Sequence, residues 1–332
     1  MRTGDRVRGT AATRRIALAL ALGLAAPAFA QQAETLPLVG VLRINTADNV
    51  EPFPTIFRNT LEALGQVDGR NIRIELRLAE GHPERFPELA QALVREKASV
   101  IVASGDAAVR AAQQATQTIP IVALVDDIVG SGLVKSLAKP GANTTGVSIL
   151  ASELDTKRLE ILKEIVPSGR RFGILHDPAQ RAPARPELLA NAARRLGAEL
   201  RTAEVRNPGD FDPAFASFSA DGIDAVNILS SPLLAGFRAQ LCDLGMTHKL
   251  PAIGQAREMA EAGCLASYGV SFSEFYGTAA KQTDKLLRGA RVDETPAEQP
   301  TKFELVINLK TAKALGLAIP QSILALADEV IE

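Results

Sequence analysis

Ala98–Ala115 reads ASVIVASGDAAVRAAQQA. Val100 to Ala103 is short, apolar and rich in branched residues, with no helical stripe, which is how a buried strand reads. Ala107 to Ala115 is alanine-rich and helix-prone. Between them sits Ser104-Gly105-Asp106. A strand that breaks through such a turn into a helix leaves the first N–H groups of the helix unpaired and inclined to accept an anion.

The same strand–helix unit recurs on either side. Leu38–Leu42 is a predicted strand, followed by a helix over Phe53–Leu64. Ile72, Ile74, Leu76 and Leu78 alternate with polar residues, the period of a half-buried strand. Phe86, Leu89, Leu93 and Val94 stripe one face of a helix. After the quoted stretch come a strand at Ile119–Val125, a helix near Leu133–Ala138 and a strand at Thr145–Ile149. The pattern then restarts. Ser152-x-x-Asp155 reads as a capping box opening a helix through Ile165. Strands at Arg171–Leu175, Leu200–Val205, Ala225–Leu229, Ala252–Gly254 and Leu265–Val270 follow. They alternate with helices at Pro186–Leu196, near Phe211–Phe218 and at Leu233–Gly245. Such alternation predicts an α/β fold with two largely parallel sheets.

The chain has 332 residues, 46% hydrophobic and 23% charged, with no Trp. Those are globular proportions, and the core is expected to be aliphatic. Residues 1–30 differ from the rest. Arg2, Arg6, Arg8, Arg14 and Arg15 precede an uncharged run, Ile16 to Ala30, that ends Ala28-Phe29-Ala30. This is a predicted secretory signal peptide cleaved after Ala30, with Sec or twin-arginine export both open. The apolar run is too short to span a membrane, and no later segment is apolar enough to do so. Residues 1–30 carry five Arg and one Asp, so their removal takes the net charge from −1 to −5. A nucleic-acid partner would call for a basic face and is not expected. Cys242 and Cys264 follow the leader. Export permits a disulfide between them, but two separate buried thiols are the favoured reading.

In open parallel sheets, ligands bind outside the carboxyl ends of the strands. Two such sheets facing one another across a hinge would form a cleft able to close on a solute. The residues just past each strand are therefore the candidates. They are Arg43, Asn45 and Thr46; Ser104, Gly105 and Asp106; Asp126 and Asp127; and Ser148. In the second half they are His176 and Asp177; Ser230 and Ser231; Gln255, Arg257 and Glu258; and Ser267 and Tyr268. Polar residues at strand ends are also what any loop supplies. The helix start at Ser104-Gly105 could take a carboxylate, Asp126 or Glu258 an ammonium, and Arg257 a second anion.

Signals for catalysis are weak. His82, His176 and His248 are far apart, and no metal-binding spacing, nucleophile elbow or P-loop is present. The sequence after the first strand, VGVLRINTAD, lacks a dinucleotide fingerprint. No cofactor or metal is expected. His176 beside Asp177 leaves a secreted α/β enzyme as one alternative function, and a ligand-sensing module for a membrane receptor as another.

Several longer stretches carry a resemblance. They are AEGHPERFPELAQALVREKASVIVASG, TIPIVALVDDIVGSGLVKSLAKPGANTTGVSIL, ELDTKRLEILKEIVPS and the closing QPTKFELVINLKTAKALGLAIPQSILALADEVIE. In these the chain resembles the ABC-transporter substrate-binding protein family that includes tryptophan- and tyrosine-binding transport proteins. The resemblance implies the type I periplasmic-binding fold, two parallel-sheet α/β lobes joined by crossing strands. It implies a periplasmic monomer that captures a small solute, amino-acid-like or an aromatic carboxylate, and delivers it to an inner-membrane ABC permease without catalysis. The crossings are expected at TTGVSIL, LASYGVS and KFELVINL. Lobe one would then comprise 36–147 plus 271–301, and lobe two 148–270 plus 302–332, with the lobe of the final segment left open. The ligand set implied is Asn45, Thr46, Ser104, Gly105, Asp126, Ser148, His176, Asp177, Ser230, Arg257 and Glu258. Tyr268 joins it from the return crossing.

Overall fold

The computed structural model describes residues 36–332. The expected leader, with cleavage after Ala30, lies outside the described residues. The first half of the chain runs β1 (Leu38–Arg43), α1 (Phe53–Ala63), β2 (Arg73–Leu78), α2 (Phe86–Arg95), β3 (Val100–Ser104), α3 (Asp106–Ala115), β4 (Ile121–Val125) and β5 (Thr144–Ser148). These strands form one sheet in the order β2-β1-β3-β4-β5. All its pairings are parallel, with Val39 between Ile74 and Val100. Every residue of β1, β3, β4 and β5 is buried. Helices cover both faces, which is why these strands read as continuous apolar runs rather than alternating ones.

The chain then crosses into α4 (Ala151–Ile165). There follow β6 (Arg171–His176), α5 (Arg185–Leu196), β7 (Glu199–Glu204), α6 (Phe211–Ala220), β8 (Ala225–Ile228), α7 (Pro232–Gly236), α8 (Arg238–Thr247), β9 (Ala252–Gly254), α9 (Arg257–Glu261) and β10 (Ala266–Val270). Next is α10 (Phe272–Leu287), which packs back on the first sheet and on α1, with Tyr276 edge-on to Phe53 at 5.1 Å. Residues near 295–298 run beside β5, where the Ser148 N–H donates to the Glu298 carbonyl at 2.9 Å. The last segment holds β11 (Phe303–Asn308), α11 (Leu309–Ala314), α12 (Gln321–Leu326) and β12 (Glu329–Ile331). The second sheet has the order β12-β11-β10-β9-β8-β6-β7, and within it β11 runs antiparallel to β10.

Four expectations are corrected. No helix forms near Leu133–Ala138; turns take its place, because Gly132 and Gly141 both adopt positive φ and Pro140 interrupts the segment. The helix expected over Leu233–Gly245 divides at Phe237, whose φ of −98° and ψ of 26° separate α7 from α8. The capping box at Ser152 is absent: α4 begins at Ala151 after a left-handed Leu150, and Asp155 turns into an ion-pair cluster. Cys242 and Cys264 form a disulfide, with Cα atoms 4.7 Å apart. The bridge ties α8 to the segment entering β10. Four short elements were not anticipated at all: α9, α11, α12 and β12.

Candidate functional site

The carboxyl ends of both sheets face one another. Four polar contacts bridge the lobes there. The Asp106 N–H donates to Gln180 Oε1 at 3.4 Å, and the Arg181 N–H to Asp106 Oδ2 at 3.3 Å. Ser131 Oγ donates to the Arg181 carbonyl. Arg185 Nη2 donates to Asp126 Oδ2 at 2.7 Å. Gly105 is the N-cap of α3, with φ of 86°, and a Cβ there would lie 3.1 Å from Pro232 of the opposite lobe. The turn at Ser104-Gly105-Asp106 is thus pressed directly against lobe two, and Gln180 takes the helix N–H that the sequence offers to a carboxylate.

Beneath these contacts lies a narrow inter-lobe cavity of about 30 Å³. Lobe one lines it with Arg43, Ser104 and Asp126 at strand ends, and with Phe272, Phe275 and Tyr276 from α10; lobe two adds Ser231, Pro232 and Gln255. That volume admits a water, whereas small-molecule sites run to roughly 300–1,000 Å³. A solute must therefore enter with the lobes parted. Arg43 ends a fully buried strand and is itself 4% exposed. Its guanidinium carbon sits 4.4 Å from the Phe53 ring centroid and 5.3 Å from that of Tyr276. Its Nε donates to Asn45 Oδ1 at 3.0 Å, and Nη1 has no partner. Burial pushes the Tyr276 hydroxyl up, opposed by the adjacent Arg43 charge.

Next to the cavity lies a buried cluster of two carboxylates and two guanidiniums. Arg185 Nε is 2.8 Å from Asp155 Oδ2, and Arg158 pairs with Asp155 Oδ1. Arg158 also donates to Ser230 Oγ at 2.8 Å and to the Tyr268 carbonyl at 2.6 Å. Burial raises Asp126 to about 7, with Arg185 opposing and Asp155 reinforcing the shift. Burial also pulls Arg185 down, but Asp155 and Asp126 outweigh it and hold the guanidinium above its ordinary range.

The strand-end residues are distributed unevenly. Ser104 and Asp126 line the cavity. Ser104, Gly105 and Asp177 meet beside Gln180 in a smaller gap of about 20 Å³. Asp177 accepts from Ser231 Oγ at 2.6 Å and from the Ala179 N–H at 2.9 Å. Asn45 lies behind Arg43 and binds Asn49, and Thr46 sits half-buried beyond it. Ser148 Oγ receives the Ile128 N–H at 3.2 Å beneath Asp126. Ser230 belongs to the Arg158 cluster. His176 lines a separate lobe-two recess of about 190 Å³, and burial, then Arg185, lower its imidazole.

Of the implied ligand set only Ser104 and Asp126 line the cavity, and Arg257, Glu258 and Tyr268 are also outside it. Arg257 turns outward to Glu261 and Glu329. Glu258 lines an open outer pocket of about 480 Å³ with Asp48 and Arg238. The Tyr268 ring faces Phe303 at 6.3 Å. The aromatic wall from α10 was missed, although SFSEFY concentrates three aromatics in a chain with only 4%.

This two-lobed architecture is that of proteins that capture a solute between α/β halves. Residues 39–331 match the family described as ABC transporter substrate binding protein, and the chain belongs to that family. It is similar to a tyrosine-binding protein of Clostridioides difficile, 26% identical over 84% of this chain and 81% of the relative. Among solved structures, a conserved domain protein from Vibrio cholerae matches with a TM-score of 0.82 and 28% identity, covering 89% of this chain and all of the other. A Streptococcus ABC domain in complex with L-Trp matches at 0.79 with 24% identity, over 90% of this chain and all of that one. A ligand-free, open substrate-binding protein from Clostridium difficile matches at 0.61 with 24% identity, over 89% and 99%. The fold is the type I periplasmic-binding fold, and the protein is a substrate-binding component of the ABC-transporter class. Among the described residues no helix is long and apolar enough to cross a membrane, and no cluster of His, Cys, Asp or Glu could hold a metal ion.

Proposed function

We propose that this protein captures a small organic solute, amino-acid-like or an aromatic carboxylate, in the inter-lobe cavity and delivers it in the periplasm to a membrane permease. The ligand contacts come from Arg43, Ser104 and Asp126 on lobe one and Ser231 and Gln255 on lobe two, with the α10 aromatics as a wall. One observation carries this reading. Arg43 is a buried cation with an unpartnered Nη1, set at the carboxyl end of a strand in a cavity shared by both lobes. A buried charge is costly until it is paired, so closure over an anionic group is favourable. The resemblance to a tyrosine-binding protein and to a Trp-bound domain supports an aromatic solute.

The enzyme alternative has less support from the geometry. Asp177 is engaged by Ser231 and the backbone rather than orienting His176, and His176 Nδ1 has no partner.

The test is a thermal-shift screen of residues 31–332 against amino acids, aromatic acids and small sugars, with recovery of the solute afterwards. A ligand at a hundredfold its Kd adds about 2.7 kcal/mol to stability by mass action. The solute should be recovered unchanged. Recovery of a chemically altered solute would sink the binding-protein reading.

A further inference from the structure

His176 and Arg185 share a recess of about 190 Å³ whose lining residues all fall between Ile174 and Leu229. None comes from the first sheet, so parting of the lobes leaves its walls in place. Ile174, Leu189 and Leu229 are buried and give it apolar walls. Arg185, 3% exposed, is its buried polar residue. Arg185 Nη2 donates to Asp126 and Nε lies 2.8 Å from Asp155, whereas Nη1 has no partner. His176 Nδ1 has none either. A buried donor without an acceptor is costly. An apolar-walled cavity of about 150 Å³ suffices for a benzene-sized guest.

The surrounding charges decide what head group such a guest carries. An ammonium offers no acceptor to Arg185 Nη1, and none of the described residues lining the recess is acidic. A carboxylate offers acceptors, but its charge has nothing left to match it. Asp126 and Asp155 already flank Arg185, and Asp106 lies close enough to act on Asp126. Arg158 is taken by Asp155. His176 does not supply the missing cation: burial and Arg185 hold its imidazole low against the pull of Asp177 and Glu204. Burying an unmatched charge is costly. An uncharged carboxamide meets both needs. Its carbonyl oxygen accepts from Nη1, and its amide group serves Nδ1 as donor or acceptor, whichever the imidazole tautomer requires.

We propose that this recess is a second binding site, distinct from the inter-lobe cavity, and that it takes a small branched aliphatic molecule headed by an uncharged carboxamide. Arg185 Nη1 holds the carbonyl oxygen, His176 meets the amide group, and Leu189 and Leu229 enclose the body. The recess is built this way whichever solute the inter-lobe cavity captures. Because Arg185 also grips Asp126, a guest here touches the link between the lobes from the lobe-two side.

The experiment is methyl NMR of residues 31–332 at pH 8, above the Asp126 value of about 7. Three matched probes are titrated: 3-methylbutanamide, 3-methylbutanoate and 3-methylbutylamine. The amide should saturate with a Kd of about millimolar, the scale for a guest of this size. It should move the methyl signals of Ile174, Leu189 and Leu229 and leave those of Val125 and Ile149, which line the inter-lobe cavity, in place. The acid and the amine should bind at least about tenfold more weakly. Thr202 is exposed on β7 at the edge of the recess, so Thr202→Phe should plug it and abolish the amide shifts. The three probes decide the matter on the native chain if that variant does not fold. No amide shifts, equal or tighter binding of the acid or the amine, shifts centred on Val125 and Ile149, or amide binding that survives in folded Thr202→Phe overturns the proposal. None of these outcomes bears on solute capture between the lobes, which the thermal-shift screen tests separately.

Discussion

Arg185 on α5 is shared between Asp126 of the opposite lobe, at 2.7 Å, and Asp155 of its own, at 2.8 Å. It links the two lobes when they are closed, and it keeps a partner when they part. Removing it leaves Asp126 buried without its cation, while Asp155 keeps Arg158. Arg185→Met should therefore destabilise the chain by about 3–5 kcal/mol, the usual loss on breaking a buried pair. Urea unfolding checks this, and a loss under 1 kcal/mol would show that the cluster is not a structural tie.

The pH dependence follows from Asp126. Its ordinary value is about 3.9. In the folded chain burial raises it to about 7. Between those values the folded form holds a proton that the unfolded form has lost, so this group's contribution to stability falls as pH rises from about 4 through about 7. Asp106 and Glu258, also raised by burial, act with the same sign. His176 is lowered by burial and by Arg185, so it acts oppositely, favouring the folded form as pH rises through the imidazole range. Comparison with Asp126→Asn isolates the first effect. Between pH 6 and pH 8 the melting temperature of the native chain should drop relative to the variant. Parallel profiles would show that Asp126 does not titrate in this window.

Gly105 and Gly65 offer a matched pair. Both have positive φ, 86° and 89°, but only at Gly105 would a Cβ meet the opposite lobe; at Gly65 nothing lies within 4 Å. Substitution by Ala should cost each variant about 1–2 kcal/mol from the left-handed backbone. Only Gly105→Ala should also weaken solute binding, by obstructing Pro232 and Gln180 as the lobes close. Equal affinities for the two variants would mean that this contact does not govern closure.

The disulfide encloses a loop of sequence separation 22. Loop-closure entropy puts its contribution at about 3 kcal/mol. Replacing both Cys242 and Cys264 by Ser should lower stability by that order in chemical denaturation, while solute affinity changes little because the bridge lies away from the cavity. A large loss of affinity would contradict this separation.

Much of the architecture was legible. β3 and β4 declared themselves as branched apolar runs because both faces of a covered parallel sheet are dry. The turn at Ser104-Gly105-Asp106 marked the start of α3, which begins at Asp106, one residue before the expected Ala107. Short pieces failed for physical reasons. α9 and β12 hold only a turn or a few pairings each, too little for a periodic signal. The cavity was half visible. Arg43, Ser231 and Gln255 are among the polar strand ends but fall outside the implied ligand set, because what distinguishes Arg43 from Arg257 is the pairing of each, which sequence does not carry. The α10 wall arrives from more than 200 positions beyond β1, so its place against Arg43 is a matter of chain crossing and not of local pattern. Cys242 and Cys264 were ambiguous for a similar reason: α8 and α9 decide their separation.

Because the two cysteines of the chain are bonded to one another, the protein offers no free thiol to a maleimide dye. A single cysteine placed at Asp48, on the lobe-one rim facing Phe237 and Arg238 of lobe two, would be labelled alone. The fluorophore would then report on lobe movement in real time, turning the unlabelled chain into an optical sensor for whatever solute it holds.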